Sequence, residues 1–113
     1  MKQGLIVFWT AVLVAMLWVT TWASLDRSVL AAAADLWRDP WGRATLFDAY
    51  FAFLAVYVWI AWRERGAVAR VGWLVALLVL GNIAIAVYFL LTLLRLPAGA
   101  SWEALFARRE ARR

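Results

Sequence analysis

The stretch VGWLVALLVLGNIAIAVYFLLTLL, residues 71–94, runs for 24 positions without a charge. A bilayer core about 30 Å thick needs about 20 apolar residues in helical form. The run is therefore long enough to cross once, and it predicts a helix over 71–96. Pro97 and Gly99 follow at once and stop it. Within it lie Gly81-Asn82 at the midpoint and Tyr88 and Thr92 further on. Glycine and single polar residues are common in transmembrane helices, where they serve as packing points.

Two upstream runs meet the same test. Residues 5–25 hold no charge, and residues 44–62 hold only Asp48. Asp39-Pro40 reads as N-cap and first helical residue, because proline's missing N–H would be unpaired there anyway. Gly66, just after Arg63-Glu64-Arg65, reads as a helix-ending glycine. The expected helices are thus about 5–25, 40–65 and 71–96. Residues 26–38 carry Leu30, the alanine run 31–34, Trp37 and nearly balanced charges. They predict a short amphipathic helix on the membrane surface. In the basic tail, 98–113, Ser101 reads as the N-cap of a last helix, with Trp102, Leu105 and Phe106 on its apolar side. The fold class expected is an all-α membrane protein in a single transmembrane domain.

Composition agrees. Of 113 residues, 67% are apolar and 17% charged, and the mean hydropathy is +0.78. Soluble domains run near 45–50% apolar. A cleaved signal peptide has an apolar core of about 7–15 residues, and the first run exceeds that, so it is read as retained. There is no Cys and no His. Disulfides, thiol nucleophiles and the commonest metal ligands are gone with them. No catalytic, cofactor or metal site is expected, and the chain is not read as an enzyme.

Ionisable residues inside spans point to function by default. Asp48 lies eight residues into its helix, about 12 Å from the end, and shares a face with Ala44, Ala52 and Ala55. Small residues let another helix approach closely. With the third helix crossing antiparallel, Tyr88 falls at the same depth and Thr92 one turn nearer the surface. The expected polar cluster is Asp48, Tyr88 and Thr92, with Thr20 or Thr21 as alternatives to Thr92. A deeper layer of Asn82, Tyr57 and Thr10 is expected to bond across helices. Arg95 is read as snorkelling and Arg63-Glu64-Arg65 as a solvated helix end. Arg108, Arg109, Arg112 and Arg113 suit anionic lipid headgroups.

Most of the nine Trp fall near span ends, Trp59 and Trp73 among them, and read as interface anchors. Three crossings put Lys2, Arg63, Arg65 and Arg70 on one side and Arg27, Arg38, Arg43, Arg95 and the tail arginines on the other. The more basic side faces the cytoplasm. That gives an outside N-terminus and a cytoplasmic C-terminus, in a bacterial inner membrane. The first helix, with Lys2 before a charge-free run, pulls the other way.

Three stretches carry a resemblance: Asp39-Pro40-Trp41 with Ala44 to Tyr50, Val58 to Glu64, and Leu80 to Tyr88 ending in Leu96-Pro97. They resemble a family of small membrane proteins in plants and bacteria catalogued as a domain of unknown function, number 1475. The likeness covers residues 39–97 and, more weakly, 22–25. It implies three helices and no known activity. Asp48, Tyr50, Glu64 and Asn82 belong to the family pattern without an assigned role, and the arginine-rich tail is not part of it.

The partners expected are the lipid bilayer and other membrane helices, of the same or another chain, and not nucleic acid. The leading functional expectation is an interaction or accessory subunit of a membrane complex. The alternatives are a homo-oligomeric transporter or ion conduit using Asp48, and a holin-like pore former.

Overall fold

A computed structural model of the protein describes residues 2–97 and 99–108, and every regular element among them is a helix. In order these are α1 (Lys2–Asp26), α2 (Val29–Arg38), α3 (Pro40–Arg63), α4 (Ala67–Leu80), α5 (Asn82–Arg95) and α6 (Glu103–Phe106). Two of them, α1 and α3, are long and apolar enough to cross a membrane. The expected third crossing over 71–96 is instead two helices of 14 residues, α4 and α5. Each is about 21 Å long and too short to cross alone.

Gly81 makes the difference. Its φ of 57° and ψ of −123° lie at the first central position of a type II′ turn, open in practice only to glycine. The chain reverses there. Trp73 and Tyr88 have ring centroids 4.8 Å apart, whereas one continuous helix would hold them about 22 Å apart. On the way in, the Tyr57 hydroxyl donates to the Arg70 carbonyl (3.1 Å) and the Tyr50 hydroxyl to the Leu78 carbonyl (3.0 Å). These bonds lay α4 antiparallel along α3, with Gly81 against the Phe53 ring. On the way out, Tyr88 meets Trp59. The tip of the hairpin thus stops beside Phe53, ten residues and about 15 Å from the end of α3.

The long α1 packs against α5 and runs antiparallel to it. Trp9 stacks on Phe89 at 4.3 Å, and Lys2 Nζ donates to the Leu96 carbonyl at 2.8 Å. None of the residues of α1 is fully buried. The core sits where α3, α4 and α5 meet: Ile60, Leu77, Ala84, Ile85 and Tyr88 are buried, ringed by aromatic side chains. Trp59 and Trp73, expected as interface anchors, belong to this ring. Stacked and edge-on pairs of this kind contribute about 0.5–1.5 kcal/mol each.

Within the segment 26–38 lies the helix α2, N-capped by Ser28 Oγ, which accepts from the Ala31 N–H at 3.2 Å. Its charges pair among themselves, Asp35 with Arg27 and Arg38. Exposed pairs like these contribute little. Pro40 opens α3 as expected, but the Asp39 side chain makes no capping bond. Glycine at 42 is required by the turn: a Cβ there would lie 2.1 Å from the Leu36 carbonyl oxygen, a backbone atom. We expect Gly42→Ala to pry α2 off α3 at a cost of about 1–3 kcal/mol. Hydrogen exchange should then rise across residues 29–38 while α4 and α5 keep their protection.

Three further readings need correction. The second helix ends at Arg63, not 65, and Gly66 (φ −102°) precedes α4 in extended conformation instead of ending α3 in a left-handed turn. The extended link Glu64–Gly66 needs no left-handed residue, because Arg70 Nε donates to the Glu64 carbonyl at 3.0 Å. The N-cap of the short α6 is Trp102, not Ser101, and no side chain caps it; the Ser101 carbonyl accepts from the Ala104 N–H at 3.1 Å.

A candidate anion pocket at the end of the third helix

Where α3 ends, α5 leaves and α6 closes over both, polar groups converge. Arg63 and Glu64 are each only 5% exposed, unlike the solvated helix end expected of them. The Arg63 guanidinium lies over the Trp59 ring (5.6 Å). Its Nη1 donates to the carbonyls of Ala104 (3.0 Å), Leu105 (2.6 Å) and Ala107 (2.9 Å). Those are the carbonyls that a helix terminus leaves without partners. Trp59 Nε1 adds a bond to the Leu105 carbonyl (2.9 Å), and Trp62 Nε1 one to the Phe106 carbonyl (2.8 Å). Arg108 returns the contact: its guanidinium lies over the Trp62 ring at 4.9 Å, and its Nε donates to the Trp62 carbonyl at 3.0 Å. Four side-chain donors thus clasp α6 to the last turn of α3.

Beneath the clasp is a cavity of about 540 Å³, lined among others by Arg63, Glu64, Tyr88, Thr92, Arg95 and Arg108. The Tyr88 hydroxyl donates to Glu64 Oε1 at 3.2 Å in a buried contact. Thr92, one turn on, is buried beside it. Three guanidiniums against one carboxylate leave the cavity with an excess of positive charge. Among the described residues, Arg63 Nε is the only buried side-chain nitrogen or oxygen without a hydrogen-bond partner.

The expected cluster of Asp48, Tyr88 and Thr92 does not assemble. Tyr88 and Thr92 are together, but their acid is Glu64. The fold-back at Gly81 carries Tyr88 to the opposite end of α3 from Asp48. Asp48 is exposed on the outer face of α3, as are Ala44, Ala52 and Ala55. The deeper layer does not form either. Asn82 is exposed at the hairpin tip, Thr10 is exposed on α1, and Tyr57 spends its hydroxyl on Arg70. Thr20 and Thr21 are exposed near the other end of α1. Of the arginines expected at headgroups, Arg108 lies on the pocket, and Arg109, Arg112 and Arg113 lie outside the described residues. Sequence reasoning missed Arg63, Glu64 and Arg95 as site residues. The available signal was a full buried face on the last helix (Ala84, Ile85, Tyr88, Thr92), which asks for a polar partner one helix away.

Residues 1–102 match the family described as a protein of unknown function (DUF1475), and the chain belongs to that family. The match stops one residue short of α6, so Arg63, Glu64 and Tyr88 fall inside it while the elements that close the cavity fall beyond. No curated protein and no solved structure matches the chain.

Proposed function

We propose that this member of the DUF1475 family is an integral membrane protein with two crossings, α1 and α3. In this reading α4 and α5 form a hairpin that enters and leaves the bilayer from the cytoplasmic face. Non-crossing backbone at membrane depth is tolerated where protein buries it, and Gly81 at the turn is buried against the Phe53 ring. The hairpin also resolves the conflict in charge. With two crossings, Lys2, Arg63, Arg65, Arg70, Arg95 and Arg108 share one end, against Arg27, Arg38 and Arg43 at the other. Six against three favours cytoplasmic placement of both termini.

The role proposed is that of an accessory subunit that joins another membrane helix. The exposed Asp48 among alanines carries this reading. An acid at the centre of a span costs about 2.5–3.5 kcal/mol against lipid, and Asp48, about 12 Å from the end of α3, bears part of that cost; small neighbours make close helix approach possible. Two copies meeting at this face would oppose two carboxylates, so the partner fitted to it is a different helix that offers a hydrogen-bond donor or a cation. A homo-oligomeric conduit would gather several of these carboxylates around one path, at a cost in like-charge repulsion that a different partner helix avoids.

The test uses the absence of native cysteine. Single cysteines at Lys2, Ser28 and Ser101 are labelled with an impermeant maleimide. Positions 2 and 101 should react from the cytoplasmic side and position 28 from the other. Labelling of 2 and 101 from opposite sides restores a third crossing and removes the hairpin. A photo-reactive residue at Ala52 should give a discrete heavier adduct that Asp48→Ala weakens. A strictly monomeric, adduct-free particle in mild detergent overturns the accessory role.

A further inference from the structure

We infer that the cavity at the end of α3 binds the phosphate of one anionic phospholipid, with an acyl chain laid in the apolar groove behind α6. Three observations converge. The cavity volume of about 540 Å³ suits a phosphate-bearing headgroup. Its polar lining is the Arg63, Arg95 and Arg108 guanidiniums, the Thr92 hydroxyl and the Glu64–Tyr88 pair. Arg63 is almost wholly buried and held by three backbone carbonyls, so its charge on the cavity wall is fixed in place. Arg95 makes no hydrogen bond or ion pair within the protein among the described residues. Arginine binds phosphate oxygens through planar paired donors, and such charge-assisted bonds are stronger than neutral ones. Glu64 is held by the Tyr88 hydroxyl, while the partners of Arg63 and Arg108 are neutral carbonyls and rings, so the charge of the three guanidiniums is offset by one carboxylate alone among the cavity's described lining residues.

The groove decides between a lipid and a free anion. A second cavity of about 310 Å³ lies on α3, α5 and α6 nearby, lined by Trp59 and Leu105. Ala55, Val56, Phe89 and Phe106 complete its lining, which is almost entirely apolar. Arg63 is one turn beyond Trp59, Tyr88 adjoins Phe89, and Ala104 adjoins Leu105. The cationic and the apolar volumes therefore lie within one helical turn of each other, an amphiphile's spacing. A soluble phosphate would have no use for the second. Both sit at the end of the molecule where the membrane reading above places headgroups. The inference rests on that reading for depth alone, and the sidedness labelling checks it separately.

The protein is purified in mild detergent, moved into nanodiscs of phosphatidylcholine with a minor fraction of phosphatidylglycerol, and released for native mass spectrometry. Wild type should retain one phosphatidylglycerol. Arg95→Gln with Arg108→Gln should reduce retention by about tenfold or more, two guanidinium–phosphate contacts being lost. Arg27→Gln with Arg38→Gln, at the opposite end, should leave it unchanged. Ala55→Trp, which fills the groove and leaves every arginine in place, should also lower retention and keeps the test open if the arginine pair misfolds. Equal retention of phosphatidylcholine overturns recognition of the anion. Displacement of the lipid by millimolar inorganic phosphate, with Ala55→Trp silent, overturns the lipid assignment and leaves a site for free phosphate.

Discussion

Gly81→Ala is expected to destabilise the protein by about 2–5 kcal/mol, the sum of two separable costs. The first is backbone strain. At φ 57°, ψ −123° an L side chain collides with its own backbone, which costs about 1–3 kcal/mol. The second is steric. The added Cβ would sit 2.8 Å from Cζ of the partly buried Phe53 ring, which must shift to make room. A double-mutant cycle separates them, because Phe53→Ala removes the collision and leaves the strain. Gly81→Ala in the Phe53→Ala background should therefore cost less than in the wild type, by about 1–2 kcal/mol. Thermal unfolding in detergent, followed through the near-UV aromatic signal, reads both. If Gly81→Ala leaves stability unchanged, residues 67–95 form one continuous helix and the hairpin is wrong. A stabilised variant would argue the same way, since alanine favours an uninterrupted helix over glycine by about 1 kcal/mol.

That single glycine also explains what can be read from the chain and what cannot. Hydropathy measures how long an apolar run is, and residues 71–94 are long enough to cross. It does not measure direction, because lipid-facing residues look alike whether a helix continues or returns. The two long helices, the start of the second at Pro40, the short helix before it and the stop at Leu96-Pro97 are legible because each rests on local chemistry: an uncharged run, a run of alanines, a proline. The reversal at Gly81-Asn82 rests on a tertiary fact, the room beside Phe53 and the bonds that Tyr50 and Tyr57 give to α4. The site follows the fold. Tyr88 and Thr92 are recognisable as a pair, since their spacing is fixed by the helix. Their acid is not, since a depth argument that assumes a full crossing selects Asp48 and a returning chain selects Glu64. Arg63-Glu64-Arg65 looks like an exposed terminus because nothing before residue 100 says that a later turn will fold back to cover it.

Loss of that cover is the other large expected effect. Arg63→Met keeps most of the apolar stem and removes the guanidinium. Three carbonyls, of Ala104, Leu105 and Ala107, then lose the donor they share. Removing one partner from a buried charged network costs about 3–5 kcal/mol when the remainder stays buried. Here a four-residue helix can swing into water instead, so the loss should concentrate in α6 while the α3–α4–α5 core holds. Amide exchange at Ala104 and Leu105 should accelerate at least a hundredfold, about 2.7 kcal/mol at the conversion of 1.4 kcal/mol per tenfold. The indoles of Trp59 and Trp62 would lose their acceptors, Leu105 and Phe106, and Trp emission should shift to the red as water enters. Arg63→Lys is the informative intermediate. An ammonium has donors enough for the carbonyls but lacks the planar face that lies over Trp59, so it should recover part of the protection and not all. Arg63→Met with unchanged exchange at residues 103–106 would mean that the apolar face of Leu105 alone holds α6, and that Arg63 is buried for some reason other than the clasp.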